Sequence, residues 1–338
     1  GKYSTPRPLI SAIVEGMRPD KKGVVCDPAC GTGGFLLEAY HYIRQHNKLD
    51  KKELTHLSHH GVRGVELVDS VARLCCMNMI LHGIGNDPEH VPIMVKDALA
   101  ARHGEYDLVL TNPPFGKKSS VPIVNQQGES QKESLIIHRD DFWATTSNKQ
   151  LNFLQHVFSI LKQHGRSAIV VPDNVLFEGG AGETVRRELL KQADVHTLLR
   201  LPTGIFYAQG VKANVLFFDK KPAAAEPWTK ELWIYDLRTN IHFTLKENTL
   251  KRSDLDGFVH SYNPENRHER RESKRFKKFS YQELLKRDKA NLDIFWLKDE
   301  SLEDADNLPE PKVIAREIVK DLKVALKEFE KIEKGLKR

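Results

Sequence analysis

Asn112-Pro113-Pro114-Phe115 is the segment of this chain best suited to chemistry on an amine. Two consecutive prolines hold φ at about −65° and restrict the residues before them, so the tetrapeptide is stiff. The Asn112 amide oxygen and the Pro113 carbonyl can both accept from one exocyclic amine. That leaves the nitrogen lone pair out of the ring plane, toward an incoming methyl group. Phe115 offers a face for stacking a planar base. Upstream, Asp27-Pro28-Ala29-Cys30-Gly31-Thr32-Gly33-Gly34-Phe35 runs from a strand through glycines into a helix, where a ligand can approach the backbone closely. The spacing is not the dinucleotide fingerprint, and no Gly-Lys-Ser/Thr follows to make a phosphate loop. Glu66, ending a second strand, can accept both hydroxyls of a ribose. Asp97, after a third, can accept from an adenine amino group. Each acid alone is more often a solvated strand-end carboxylate. Together they describe a pocket for an adenosine without a phosphate tail, and S-adenosylmethionine is such a molecule.

The elements that must position these groups follow from the pattern. Short apolar runs closed by turn residues predict buried strands at 24–30, 62–67, 93–96, 106–111, 166–171, 195–201 and 214–219. Helices are predicted between them at 35–46, 70–82, 151–164 and 184–192. That alternation predicts an α/β fold with a largely parallel sheet, whose ligands sit at the carboxyl ends of the strands. Residues 116–150 break the rhythm as a long polar loop, of a length that is usually functional or disordered. The pattern shifts after Lys220, with a strand at 231–236 and a run from Arg267 to Lys278 holding seven basic and two acidic residues. Ala315, Ile318, Leu322, Ala325, Phe329, Ile332 and Leu336 recur at spacings of 3 and 4, a heptad seam that needs a partner helix.

Composition limits the alternatives. With 338 residues, of which 40% are hydrophobic, the chain can build a real core. No apolar run reaches the roughly 20 residues that span a bilayer, and the first residues lack a secretory signal. The net charge of +6 permits a polyanionic partner without requiring one. Cys26, Cys30, Cys75 and Cys76 do not form a disulfide framework or a zinc set, so they read as reduced thiols of a cytoplasmic protein. No metal is expected, and His59-His60 read as loop residues. The absence of an initiator Met leads to the expectation that the chain is a piece of a longer protein.

The ordered set of motifs resembles the amino-methyltransferases with an Asn/Asp-Pro-Pro-Phe/Tyr motif. More narrowly, it resembles the methylation subunit of type I restriction–modification systems, an adenine-N6 DNA methyltransferase. Tyr3-Ser4-Thr5-Pro6-Arg7, Asp27 to Phe35, Asn112 to Phe115, Thr203-Gly204-Ile205-Phe206 and the terminal helix carry the resemblance, which covers nearly the whole chain. It implies a Rossmann-like S-adenosylmethionine-dependent methyltransferase sheet with helices on both faces over 1–221. A C-terminal extension follows at 222–308, then a long helix at 309–338. It implies that Lys2, Tyr3, Ser4, Thr5, Pro6 and Arg7 close over the methionine end of the cofactor, with Gly31, Thr32, Gly33 and Gly34 behind it. Asp27 would lie near the amino acid portion, Glu66 at the ribose, and Asp97 with Ala98 at the adenine. Asn112, Pro113, Pro114 and Phe115 would hold the target base. The family usually carries a helical region ahead of the Tyr-x-Thr-Pro-Arg segment.

The implied reaction moves the sulfonium methyl to N6 of an adenine flipped out of double-stranded DNA. The implied partners are a specificity subunit, a second methylation subunit and a restriction subunit. Lys117, Lys118 and the 267–278 run are the expected phosphate contacts, with a solvated charged loop the competing reading of the latter. The heptad seam either meets the specificity subunit or packs on its own domain. A protein or release-factor glutamine methyltransferase, a single-chain restriction–methylation enzyme and a non-catalytic assembly module are the alternative functions.

Overall fold

The computed structural model describes residues 4–116, 120–124, 130–206 and 210–300, with nine further positions between 312 and 330. Described residues up to Trp296 form one compact unit, and those from Leu297 a second. The chain enters through α1 (Arg7–Met17), β1 (Val25–Asp27), α2 (Gly34–His46) and α3 (Lys51–His59). It continues through β2 (Val62–Glu66), α4 (Asp69–Leu81), β3 (Ile93–Val95) and β4 (Tyr106–Thr111). A hairpin of β5 (Ser120–Val124) and β6 (Ser130–Ser134) precedes α5 (Lys149–Ile160), β7 (Leu161–Pro172), α6 (Asp173–Phe177) and α7 (Ala181–Gln192). Then come β8 (Ala193–Arg200), β9 (Ala213–Lys220), β10 (Glu231–Asp236), α8 (Asp256–Tyr262), β11 (Phe276–Ser280) and α9 (Tyr281–Lys286).

Nine of these strands form one sheet in the order β11-β10-β8-β9-β7-β4-β1-β2-β3. Five of its pairings are parallel and three antiparallel, so the expectation of a largely parallel sheet holds on the β7-to-β3 side only. The reason is local: β8 passes to β9 with no intervening helix, and a return without a crossover is antiparallel. Alternation along the central strands sorts their side chains between two cores. Leu108 and Leu110 join α1 and α2 residues such as Leu9, Ile13 and Leu36 on one face. Val109 joins Leu151, Leu154 and Leu189 from α5 and α7 on the other. Each such fully buried side chain contributes on the order of 1.5–3 kcal/mol.

The helix predicted to reach His164 stops at Ile160. Leu161 is already extended and pairs with Tyr106, and the chain then turns at His164, which takes a left-handed φ of 64°. The 116–150 stretch also holds more order than expected, with the β5–β6 hairpin and a bridge between Ile137 and Thr146. Past residue 221, β10 pairs with β8 and carries β11, so the 222–296 segment extends the same sheet. Of the heptad seam, Ala315, Ile318 and Leu322 are helical and exposed; Ala325, Phe329, Ile332 and Leu336 lie outside the described residues. No helix among the described residues is long and apolar enough to cross a membrane.

Candidate active site

β1 lies between β2 and β4, and the chain proceeds outward from it in both directions. Its carboxyl end is therefore a topological switch point, where open α/β sheets bind ligands. Asp27 ends β1 and is buried at 2% exposure. Its Oδ1 accepts from the Thr111 hydroxyl of β4 at 2.6 Å and from the Ala29 amide at 3.0 Å. Burial lifts the Asp27 carboxyl to about 7, against the pull of those two donors.

The glycine turn is joined to β2 through Glu66. The Gly31 amide donates to Oε2 at 3.0 Å and the Val68 amide to Oε1 at 2.9 Å, so the carboxylate is fixed by backbone from two sides. Gly31 has a φ of +53° and nothing within 4 Å of where a Cβ would stand. Gly33 is the opposite case: with φ at +88°, a Cβ there would lie 2.4 Å from Met79 Cε and 2.9 Å from Cys75 Sγ. One glycine keeps space open above the turn, while the other lets α4 pack beneath it. Thr32 is exposed, and its carbonyl accepts from Asn78 of α4 at 3.1 Å. Gly34 sits over Ile10 of α1, whose Cδ1 would be 3.0 Å from an added Cβ.

Asp97 follows β3 at the same sheet edge, since Glu66 and Val95 are paired in register. Its Oδ1 accepts from Leu99 N at 2.9 Å, closing a turn that buries Ala98 and leaves Asp97 exposed.

Asn112 follows β4 directly. Its Nδ2 donates to the Thr5 hydroxyl at 2.8 Å, which ties the segment ahead of α1 to the tetrapeptide. With its nitrogen so engaged, the amide presents oxygen as its acceptor end. Pro113 is buried, Pro114 exposed and Phe115 half-buried, and the Phe115 ring meets Phe206 edge-on at 6.0 Å. The 203–206 run thus braces the Phe115 ring. Gly204 permits this turn, because a Cβ there would lie 1.9 Å from the Phe243 carbonyl oxygen. Ser4, Pro6 and Arg7 are close in sequence to the Thr5 contact, whereas Lys2, Tyr3, Lys117 and Lys118 lie outside the described residues.

Three contributors were not anticipated from sequence: Thr111, Phe206 as a brace, and Gln150. Gln150 Nε2 donates to the Gly116 carbonyl at 2.7 Å, immediately past the tetrapeptide. Its Oε1 is buried with no hydrogen-bond partner among the described residues. The available signal was Asn148, whose side chain caps α5 by accepting from Gln150 N and Leu151 N and so fixes where that helix begins.

The basic 267–278 run divides between cations held by internal partners and exposed positions such as Arg271 and Lys274. Arg267 pairs with Asp219 at 2.6 Å, and Arg270 donates to the Tyr262 and His196 carbonyls. Arg275 donates to the Asp236 carbonyl and Lys278 pairs with Glu231, so four of its cations serve the fold. A cleft of about 330 Å³ opens at the opposite, amino ends of β1 and β4, near Val24, Asp107 and Arg166, and none of the site residues lines it.

The profile of the N-6 DNA Methylase family matches residues 1–300. The methylase subunit of the type I restriction enzyme StySJI from Salmonella typhimurium is 38% identical, over 99% of this chain and 68% of its own length. That of EcoKI from Escherichia coli gives the same figures. The crystal structure of the EcoKI M protein superposes with a TM-score of 0.79 at 36% identity, covering 97% of this chain and 71% of that one. A modification subunit of a putative type I restriction enzyme from Vibrio vulnificus gives a TM-score of 0.70 at 28% identity, over 90% and 62%. A strand-to-helix glycine turn tied to Glu66 of β2, a stiff Asn-Pro-Pro-Phe just past β4 and relatives of this kind lead to one assignment: the chain belongs to the N-6 DNA methylase family, among the type I restriction enzyme methylase subunits.

Proposed function

We propose that this chain methylates the N6 amine of a specific adenine in double-stranded DNA, as the modification subunit of a type I complex using S-adenosylmethionine. The observation that carries the reading is the Thr5–Asn112 hydrogen bond. It brings the segment expected over the methionine end of the cofactor to the residue expected to hold the target amine.

The residues present suit the cofactor. The space over Gly31 is the cradle a Cβ would fill, and Glu66 is a carboxylate whose backbone donors leave lone pairs for two hydroxyls. Glu66 would hold the ribose, Asp97 and Ala98 the adenine, and Asp27 with Thr5 to Arg7 the amino acid end. When bound, the cofactor supplies an electrophilic methyl group. The chain's own contribution is alignment: Asn112 Oδ1 and the Pro113 carbonyl accept the two amine protons, and Phe115 stacks the base. Holding both protons in the acceptors' plane aims the nitrogen lone pair at the methyl. The target must leave the duplex to reach this position. A specificity subunit, a second methylation subunit and a restriction subunit are the proposed protein partners.

The test is calorimetric titration with S-adenosylmethionine, comparing wild type with Glu66→Ala, alongside transfer of a labelled methyl to duplex DNA by wild type and Asn112→Ala. Saturable binding lost in Glu66→Ala, and transfer lost in Asn112→Ala with binding kept within a few-fold, are the expected results. Loss of binding in Asn112→Ala would make that residue structural and remove its assigned role.

A further inference from the structure

We propose that His59, Asp87 and His90 form a binding site for a divalent transition-metal ion at the amino ends of β2 and β3, the sheet edge away from the candidate active site. One ring nitrogen from each histidine and one Asp87 oxygen all lie within 4.8 Å of one another, and all three residues are half-buried. His59 closes α3, so it is a helical residue, whereas Asp87 and His90 stand on the connection from α4 to β3. The trio therefore joins two separate segments.

The surroundings have the features of a built ligand set. Asp87 Oδ2 lies 2.8 Å from His90 Nδ1, and Oδ1 accepts from Glu89 N at 2.9 Å. That pair already brings a carboxylate oxygen and an imidazole nitrogen together, and an ion would take the place of the proton between them. The His59 and His90 rings stack with centroids 4.9 Å apart at 15°. His60 closes the side edge-on at 4.9 Å, held by Arg63 Nη2 at 3.3 Å from its Nδ1. Independently, one turn earlier on α3, His56 buries its Nε2 with no hydrogen-bond partner among the described residues.

Imidazole and carboxylate donors in this number suit zinc, cobalt, nickel or copper, and are too few and too nitrogen-rich for calcium or magnesium. Ligands at roughly 2.0–2.1 Å from zinc stand about 3.3 Å apart, so a pair near the 4.8 Å limit of this trio would be drawn inward. That inward movement fits partly exposed side chains on a connection already anchored by Gly85 N to the Ser58 carbonyl at 3.1 Å. The ion would clamp that connection to α3 and fix the start of β3, the strand that leads to Asp97.

The test uses the full chain and zinc chloride, competed against a chromogenic chelator. Glutamine variants at the two histidines, and Asp87→Asn, keep side-chain size and polarity and so preserve the fold. The expected result is one zinc per chain, with affinity reduced about tenfold or more in His59→Gln or His90→Gln. A zinc-dependent rise in Tm should appear in wild type and vanish in the double His59→Gln/His90→Gln variant. Equal binding by that double variant, or no binding by wild type, would overturn the site. A thiolate charge-transfer band with cobalt would place the ion on the cysteines and overturn it equally.

Discussion

Asn112 and Thr5, 107 positions apart in the chain, meet side chain to side chain at 2.8 Å. The contact orients the Asn112 amide and holds the chain entering α1 against the end of β4. A single neutral hydrogen bond contributes about 0.5–1.5 kcal/mol net, which is up to about tenfold in a rate. Thr5→Val should therefore lower single-turnover methyl transfer by about that factor, and Thr5→Ser should restore it. Equal rates in Thr5→Val and wild type would show that the contact does not orient the amide.

Gly31 and Gly33 should respond to alanine in opposite ways. Gly33→Ala meets Met79 and Cys75 inside the core, so its Tm should fall sharply, by the equivalent of about 1–3 kcal/mol. Gly31→Ala meets nothing and costs only its positive φ, roughly 1 kcal/mol, yet it fills the space proposed for the cofactor. It should stay folded while S-adenosylmethionine affinity drops. Thermal melts and titrations of both variants check this, and undiminished affinity in Gly31→Ala would move the cofactor elsewhere.

Gln150 acts as a positioning residue through the Gly116 carbonyl. Gln150→Ala should cut the methyl-transfer rate by about tenfold through a looser tetrapeptide, leaving cofactor affinity unchanged. Gln150→Glu should be worse, because it sets a carboxylate oxygen against the carbonyl oxygen that the amide nitrogen now serves. Pre-steady-state transfer with saturating cofactor separates the two effects, and a parallel loss of cofactor binding would reclassify Gln150 as a fold residue.

Asp27 predicts a pH dependence of stability. Its folded-state value of about 7 lies above the ordinary 3.8. The folded chain thus keeps a proton that the unfolded chain releases between those values. The associated stability is complete below about pH 4 and is lost as pH rises through about 7, at no more than about 1.4 kcal/mol per pH unit. Asp27→Asn retains an oxygen for Thr111 and Ala29 but carries no charge, so urea midpoints at pH 5 and pH 8 should converge in the variant. A difference as large as that of wild type would assign the dependence to other groups.

Much of this was legible from sequence because it is local. An apolar run followed by glycines or prolines stops where its backbone stops, so β2 and β4 ended within a residue of expectation, with Glu66 on the one and Asn112 just past the other, while β1 stopped at Asp27, short of the expected 30. The regular alternation of strands and helices then required those ends to share a sheet edge. The hairpin at 120–134 and the short α3 were harder to read, since Pro122 interrupts the apolar β5, polar and charged residues fill β6, and only Leu54 and Leu57 mark α3.

The sequence by itself determined the residue types, the stiffness of Asn112 to Phe115, the glycine turn, and the order in which the strands deliver them. Tertiary structure alone decided the partners. It gave Asn112 to Thr5, Gly31 to Glu66 and Gly116 to Gln150, turned four of the 267–278 cations onto carbonyls and carboxylates of the fold, and set β9 antiparallel in the sheet. The physical reason is that a charge or an amide carries no local period. Where it goes depends on which distant donor or acceptor the packed chain brings within about 3 Å.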